Sequence, residues 1–292
     1  MTKAFKVAGH RFTVELPDCC PLWGLMGQYA PFEAAAADGE PVFTLAWADT
    51  LPDSGKTPVF VEVPEEEGQS RIELYRTADG WRFEMAPTAK APVCCVMETD
   101  EAYAHARFAV VPERRTALFG LNNALMILYA FRTAALGTLE MHASVVIKDG
   151  KGYLFLGKSG TGKSTHSRQW LERFPGTELL NDDNPVVRAL SDGGIRVYGS
   201  PWSGKTPCYR NLDVPVGAFV RIRQSPDNRA TRQKLVEAYA SLYSSCSGLK
   251  ADRRIADGLH ATLERIVTQV PCFVLDCRPD HEAAEVCFEA VR

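Results

Sequence analysis

The chain has 292 residues, of which 46% are hydrophobic and 24% are charged, which is enough for about two globular domains with ordinary cores. Its formal net charge is -3, and the lysines and arginines are scattered along the chain, which argues against nucleic-acid binding through a basic surface. The start, MTKAFKVAGHRF, lacks the apolar core of a signal peptide, and the most apolar long window carries Asn122, Asn123 and Arg132. We therefore expect a cytoplasmic protein without a membrane span.

Cysteine usage agrees with that expectation. The nine cysteines include the adjacent pairs 19–20 and 94–95, and no CxxC spacing occurs. Adjacent cysteines rarely bond to each other, and no zinc-ligand spacing is present. We expect reduced thiols that are mostly buried.

The first part of the chain has the alternating pattern of β-strands. FKVAGHRFTVEL predicts two strands around a Gly-His turn, and RIELYRTADGWRFEM predicts a hairpin with an Asp-Gly turn. PVFTLAW and PVFVEV supply further strands, and no group of catalytic residues stands out. We therefore predict a β-rich N-terminal domain of unknown role over residues 1–112.

A helix is predicted next, over about residues 113–136, with Gly137 as its cap, so that residues 113–138 form a connecting helix. HASVVIK and YLFLG then predict a hairpin, followed by a helix over 163–173, the strand TELLN, and a hairpin of PVVRAL with IRVYG. The strand VGAFVRIR, helices over about 230–245 and 252–268, the strand CFVLDC and a final helix complete the chain. Because hairpins interrupt the strand–helix alternation, we predict a mixed sheet and a mixed α/β (α+β) fold for residues 139–292.

The segment GKSGTGKST fits the phosphate-loop pattern GxxxxGK[ST], and it lies between a predicted strand and a predicted helix. Glycines permit a turn that directs backbone N–H groups at phosphate oxygens, and the N-terminus of the helix adds positive potential. In this pattern the lysine contacts the β and γ phosphates, and the serine hydroxyl binds Mg²⁺. The predicted nucleotide-binding residues are Gly157, Lys158, Ser159, Gly160, Thr161, Gly162, Lys163, Ser164 and Thr165.

Two carboxylates follow the next predicted strand, at Asp182 and Asp183. Carboxylate oxygens suit Mg²⁺, so Ser164, Asp182 and Asp183 are the candidate metal ligands. Adjacent side chains on a strand point to opposite faces, which predicts different roles: one aspartate holds the metal and the other accepts a proton from the substrate hydroxyl. Which aspartate does which stays open, and a solvated turn is the alternative.

Two further residues are candidates for the catalytic group. His142 begins the strand that neighbours the one leading into the phosphate loop, so its side chain is expected beside the γ phosphate. The loop GSPWSGK ends at Lys205, a candidate cation for the transferred phosphoryl group. The alternative for this loop is a surface turn in which Trp202 packs on the domain. Arg210 and Asn211 follow closely and are weaker candidates for the same cleft.

Together these pieces resemble the catalytic domain of HPr kinase/phosphorylase, over roughly residues 139–223. The resemblance implies a phosphate-loop kinase domain related in fold to the ATP-dependent phosphoenolpyruvate carboxykinases, with Mg-ATP as donor and a protein serine as acceptor. The matching residues are His142, Lys163, Ser164, Asp182 and Asp183. The first hundred residues do not resemble that family's sensor domain, and GSPWSGKTPCYRN is similar instead to uncharacterised HPr-kinase-like proteins and to kinases of peptide-modification pathways.

We therefore predict an ATP- and Mg²⁺-dependent kinase whose acceptor is a hydroxyl of a protein, a peptide or a small alcohol. Carboxykinase-like chemistry on a small carboxylate is one alternative, with Arg210, Arg221 and Arg223 as the basic residues that would bind the acid. A nucleotide-binding module without turnover is another, but the acidic pair argues against it. Apart from the nucleotide and the acceptor, no nucleic-acid or membrane partner is expected, and self-association into a homo-oligomer is left open.

Overall fold

The computed structural model describes residues 1–35, 39–52, 55, 57–62, 70–111, 113–204 and 206–292. The chain divides into two compact units, Met1–Arg132 and Thr133–Arg292. Among the described residues, the first unit combines one mixed sheet with one α-helix, and the second combines a mixed sheet with several α-helices, which confirms the predicted mixed α/β class.

The described residues of the first unit form eight strands and a long helix that ends one residue beyond the unit. They are β1 (Thr2–Val7), β2 (His10–Glu15), β3 (Thr44–Trp47), β4 (Phe60–Glu62), β5 (Arg71–Arg76), β6 (Gly80–Ala86), β7 (Cys95–Asp100), β8 (His105–Val110) and α1 (Arg114–Thr133). Two short 3-10 helices, Pro21–Leu25 and Gly27–Phe32, connect β2 to β3.

The eight strands form one sheet in the order β1-β2-β3-β8-β7-β6-β5-β4. The two predicted hairpins are present as β1–β2 and β5–β6, whereas the pattern of β7 and β8 was not recognised in the sequence. Helix α1 packs on this unit through an apolar stripe that includes the buried residues Leu121, Leu125 and Leu128. The Tyr129 hydroxyl donates a hydrogen bond to the Val7 carbonyl at 3.0 Å.

The predicted helix over 113–136 is α-helical from Arg114 to Thr133 and continues as a 3-10 turn to Leu136. Gly137 follows with a φ of 69°, the left-handed conformation that glycine adopts readily at a helix end. Within the part of the chain that the structure describes, no helix combines the length and the apolar character needed to cross a bilayer.

The described residues of the second unit form nine strands and four α-helices, after the 3-10 turn Ala134–Leu136. They are β9 (Thr138–Glu140), β10 (Ala143–Lys148), β11 (Lys151–Leu156), α2 (Lys163–Arg173), β12 (Glu178–Asn181), β13 (Val186–Ala189), β14 (Ile195–Tyr198), β15 (Asp213–Gln224), β16 (Arg229–Arg232), α3 (Leu235–Tyr243), α4 (Arg253–Val267), β17 (Cys272–Cys277) and α5 (His281–Val291).

The strand order is β12-β10-β11-β15-β14-β13-β9, and β17 pairs with both β15 and β16. Strands β11, β15 and β17 run parallel, while β10 is antiparallel to both β11 and β12. The C-terminal ends of β11, β12, β15 and β17 therefore lie at one edge of the sheet, together with the start of β10. Ligands of open α/β sheets bind at such an edge.

Helices α2 and α5 cover this sheet through one apolar cluster. Trp170 of α2 is fully buried between Phe155 of β11 and Phe288 of α5, with ring centroids 5.5 Å away in each case. All nine cysteines are free thiols and seven of them are buried, as expected from the sequence.

The helix predicted over about residues 230–245 begins several residues later in the structure, at Leu235. The sequence indicated a helix from about residue 230, but residues 229–232 form β16, which pairs antiparallel with β17, and α3 begins at Leu235. The ladder with β17 satisfies backbone groups in this segment, and that tertiary contact outweighs its weak local helix preference.

Candidate functional site

The phosphate loop, residues 157–165, connects β11 to the first turn of α2. At Gly157 a Cβ atom would come within 2.3 Å of Thr161 Oγ1, so no larger residue fits there without a shift. Thr161 closes the turn by donating from Oγ1 to the Lys158 carbonyl at 2.8 Å. Gly162 caps α2 with a φ of 103°, a conformation that side chains disfavour. The backbone conformation of the loop thus explains why glycine occupies positions 157 and 162. The first N–H groups of α2 face the loop.

Lys163 is buried at the centre of the loop, with 8% of its surface exposed. Its ammonium donates to the carbonyls of Gly157 at 3.0 Å and Lys158 at 3.2 Å, and its Nζ lies 2.7 Å from His142 Nε2. Burial lowers the pKa of Lys163, while the charges of Asp183 and Asp182 partly restore it. The lysine is therefore held in place by the protein itself at the position where the motif requires a phosphate-binding cation.

His142 joins the lysine to one of the two aspartates. It precedes β10, and the pairing of Ala143 with Leu156 sets it beside the start of the loop, as the hairpin pattern predicted. Its Nδ1 lies 3.1 Å from Asp183 Oδ1. Asp183, His142 and Lys163 thus form one continuous chain of polar contacts.

Asp182 has different surroundings from Asp183, as expected for adjacent residues that face opposite ways. It is 5% exposed and its Oδ1 accepts a hydrogen bond from Ser144 Oγ at 2.7 Å. Because the Ser144 proton is used in that bond, Ser167 Oγ, 2.6 Å away, donates to Ser144. The second carboxylate oxygen, Oδ2, is buried without a hydrogen-bond partner among the described residues.

The residues at this edge fit Mg²⁺ better than a metal that needs a cage of protein ligands. No group of three or more His, Cys, Asp or Glu side chains with metal-binding geometry occurs in the described part of the chain. Mg²⁺ commonly takes one or two carboxylates and completes its shell with water and phosphate oxygens. The unpartnered Asp182 Oδ2 and the exposed Ser164 hydroxyl on the first turn of α2 are suitable oxygen ligands.

A third carboxyl group, Glu140 on β9, was not recognised in the sequence. It is 1% exposed, and neither of its carboxyl oxygens has a hydrogen-bond partner among the described residues. Burial and the nearby charge of Asp183 raise the pKa of Glu140 well above its usual range, which favours the protonated acid. An acidic residue two positions before His142, inside an apolar strand, was the available signal.

The loop that follows Gly199 packs against the acidic pair. A Cβ atom on Gly204 would lie 3.2 Å from Asp183 Cβ, so the loop backbone passes directly over this side chain. Trp202 is 3% exposed, and its carbonyl accepts hydrogen bonds from Asn181 Nδ2 and Ser200 Oγ. Lys205, the predicted catalytic cation, lies outside the described residues.

A cavity of about 410 Å³ adjoins the phosphate loop on the side of β15 and β17. Thr165, His166 and Gln169 of α2 line one wall, and Gln224 and Cys277 belong to the opposite wall. This volume falls in the range of small-ligand pockets.

His166 adds a hydrogen-bond donor to the cavity wall. Burial lowers its pKa to about 4, so the ring is neutral near pH 7, and Trp170 donates to Nε2 at 3.1 Å. The proton therefore resides on Nδ1, which is buried. Gln169 offsets the pKa shift in part, but no hydrogen bond of normal geometry satisfies Nδ1 among the described residues.

The three arginines considered for a carboxylate substrate lie in different surroundings. Arg210 pairs with Glu178 at 2.7 Å, and Arg223 forms two 2.8 Å bonds with Asp276. Arg221 is half-buried at the phosphate-loop edge, and its charge contributes to lowering the Lys163 pKa. Of the three, Arg221 is the one near Lys163.

The structure thus brings together the phosphate loop, His142, Asp182, Asp183 and the backbone of the Gly199–Gly204 loop at one sheet edge. No protein-family model matches the chain. No curated protein sequence matches it either. Among solved structures, the chain is similar to the Hpr(Ser) kinase/phosphatase from Coxiella burnetii, with a TM-score of 0.32 and 13% identity over 52% of this chain and 88% of that one. A similarity of this size carries no argument about function.

Proposed function

We propose that the second unit is an ATP- and magnesium-dependent phosphotransferase that transfers the γ-phosphoryl group to a hydroxyl of a protein, a peptide or a small alcohol. The observation that carries the proposal is the contact of Lys163 Nζ with His142 Nε2 at 2.7 Å inside a phosphate loop. This contact joins the loop to the Asp183 carboxylate. A candidate phosphate-binding cation and a candidate proton acceptor are thereby held close together, and phosphoryl transfer to a hydroxyl uses both kinds of group.

The proposed donor is ATP, bound with its phosphates on the loop and its nucleoside in the adjoining cavity. The cavity begins at Gly160 and Thr161 of the loop and extends along α2 to Gln169. The loop amides, the N-terminus of α2 and Lys163 would bind the phosphates.

The proposed chemistry assigns separate tasks to the two aspartates. Asp183, about one-third exposed and in contact with His142, would accept the proton of the attacking hydroxyl. Asp182 and Ser164 would hold Mg²⁺, which when bound neutralises charge on the phosphate oxygens. His142 would hold the Asp183 carboxylate and the Lys163 ammonium in fixed positions through its two ring nitrogens.

The two alternatives have less support. In a carboxykinase-like enzyme several basic residues would converge on the acid, but Arg210 and Arg223 are each paired with a carboxylate. A nucleotide-binding module without turnover has no need for the His142–Asp183 contact beside the γ-phosphate position.

The binding step is tested by Lys163→Ala, with Mg-ATP affinity measured by calorimetry. The loss of a buried cation from the loop should lower affinity by about tenfold or more, because charged hydrogen bonds contribute about 1.5–3 kcal/mol. Lys151→Ala is the matched control, because Lys151 is exposed at the start of β11. An affinity that stays within about twofold, roughly 0.4 kcal/mol, would contradict the assignment.

A further inference from the structure

Arg221 is a half-buried cation whose charge acts on Lys163. It lies on β15, which runs parallel to β11, and it pairs in register with Leu156, the last residue before the phosphate loop. The next residue along β15, Ile222, has its carbonyl 3.5 Å from the place of a Gly157 Cβ. Arg221 therefore lies where the backbone of β15 meets the beginning of the loop.

The guanidinium of Arg221 is held by hydroxyl and carbonyl groups rather than by a carboxylate. Nε donates to Ser241 Oγ at 2.6 Å, and Nη2 donates to Ser245 Oγ at 2.8 Å and to Ser244 Oγ at 3.0 Å. Nη2 also donates to the Ser241 carbonyl. Among the described residues, no carboxylate pairs with Arg221 and no hydrogen bond involves Nη1.

The same segment connects Arg221 to the catalytic contacts. Ser245, which accepts from Arg221 through its hydroxyl, accepts through its carbonyl from the His142 N–H at 2.8 Å. His142 in turn contacts Lys163. Arg221 and Lys163 are thus held by separate protein contacts, and the charge of the first disfavours the charged form of the second.

The hydrogen-bond partners of the half-buried Arg221 are neutral, so a bound anion would add a charge–charge attraction that these partners do not supply. Arginine presents paired N–H groups that match phosphate oxygens, and Nη1 has its donors available. The charge of Arg221 acts on Lys163, and the lysine of this motif contacts the β and γ phosphates, so the anion that this site would bring to Arg221 is the phosphate chain of the nucleotide.

We propose that Arg221 is a second phosphate-binding cation of this site and that its ligand is the γ-phosphoryl group of ATP. The inference rests on the proposed function and adds to it a residue that distinguishes ATP from ADP. Because the γ phosphate is missing in ADP, Arg221 contributes to the binding of ATP and not to the binding of ADP. The serines hold the guanidinium in place before the nucleotide arrives, which limits the entropy lost on binding.

The test compares the affinities of Mg-ATP and Mg-ADP in the full chain, measured by calorimetry for the wild type and for Arg221→Gln. The substitution should lower ATP affinity by about tenfold to a hundredfold, as for a lost charge-assisted hydrogen bond, and leave ADP affinity within about twofold. Arg223→Gln is the matched control, because Arg223 lies two residues along the same strand, is exposed and pairs with Asp276. It should leave the ratio of the two affinities unchanged.

Arg221→Lys covers the case in which Arg221→Gln fails to fold, since it keeps the positive charge and loses the planar pair of donors. It should lower the ATP preference less than the Gln variant does. An unchanged ratio of ATP to ADP affinity in the folded Arg221 variant overturns the inference, as does an equal change in Arg223→Gln. A wild-type chain that binds neither nucleotide overturns the proposed function itself, which is a separate result.

Discussion

Lys163 Nζ and His142 Nε2 lie 2.7 Å apart, and this single contact determines which nitrogen of the imidazole carries its proton. An ammonium group only donates hydrogen bonds, so Nε2 must accept, and the proton of the neutral ring is on Nδ1. Nδ1 is 3.1 Å from Asp183 Oδ1, so the ring donates to the carboxylate. The phosphate loop therefore orients His142, and His142 orients Asp183.

Because Asp183 contacts His142 while Asp182 is bonded to Ser144, substitutions of the two aspartates should have different effects. Asp183→Asn should lower phosphoryl transfer at saturating Mg²⁺ by about a hundredfold or more, the usual contribution of a general base. Asp182→Asn should mainly raise the Mg²⁺ concentration needed for half-maximal rate, because it removes a carboxylate with an unpartnered oxygen. The measurement is the rate of transfer as a function of Mg²⁺ concentration for each variant.

Asp149→Asn is the control for these two substitutions. Asp149 is exposed in the β10–β11 turn, where its φ of 51° is tolerated by asparagine. It should leave both the rate and the Mg²⁺ dependence unaltered. Full phosphoryl transfer by both Asp182→Asn and Asp183→Asn would refute the proposed chemistry.

The sequence was informative about this sheet edge because its signals are local. The phosphate loop has a fixed spacing, and the hairpin of β10 and β11 follows from two apolar runs around Asp149 and Gly150. Since adjacent hairpin strands pair in register, His142 was expected beside the loop. The pair Asp182–Asp183 was expected at a strand end because it follows the short apolar run of TELLN, and alternation along a strand predicted that the two side chains face different ways.

Other features depended on contacts between distant segments, which no local pattern reveals. Strand β16 exists because it pairs with β17, about forty residues further along the chain. Arg221 could be proposed only as one of three arginines, because its distinction from Arg223 lies in the absence of a carboxylate partner among the described residues. Glu140 was missed because burial of an acidic residue is a property of the tertiary structure.

Glu140 should make stability depend on pH. Its folded pKa is raised well above the ordinary 4.5, so above that pH the unfolded chain loses the proton while the folded chain keeps it. The free energy of unfolding therefore falls as the pH rises, by up to about 1.4 kcal/mol per pH unit, until the folded pKa is reached. Glu140→Gln removes this titration, so its stability relative to the wild type should increase between pH 5 and 8.

Urea denaturation at several pH values measures this difference. Glu264→Gln is the matched control, because Glu264 is exposed on α4. The difference between its free energy of unfolding and that of the wild type should not vary with pH. If the corresponding difference for Glu140→Gln were constant between pH 5 and 8, the pKa of the buried Glu140 carboxyl would not be raised.

The Gly199–Gly204 loop allows the roles of Trp202 and Lys205 to be separated. Trp202 is buried, and its carbonyl is hydrogen-bonded to Asn181, so Trp202→Ala should lower stability by about 3–5 kcal/mol and reduce the melting temperature. The loop backbone at Gly204 lies against Asp183, and Lys205 is the cation that the sequence predicts for the transferred group.

A lysine that contacts the phosphoryl group meets more charge in the transition state than in bound ATP. Lys205→Ala should therefore lower the rate by about a hundredfold while ATP affinity changes much less, since the loss of one such contact typically costs about 3 kcal/mol. Turnover, ATP affinity and thermal melts are compared for Lys205→Ala, Trp202→Ala and the exposed control Lys151→Ala. Unaltered turnover of Lys205→Ala would remove this lysine from the site, and the proposed chemistry would then depend on the phosphate loop, His142 and the two aspartates alone.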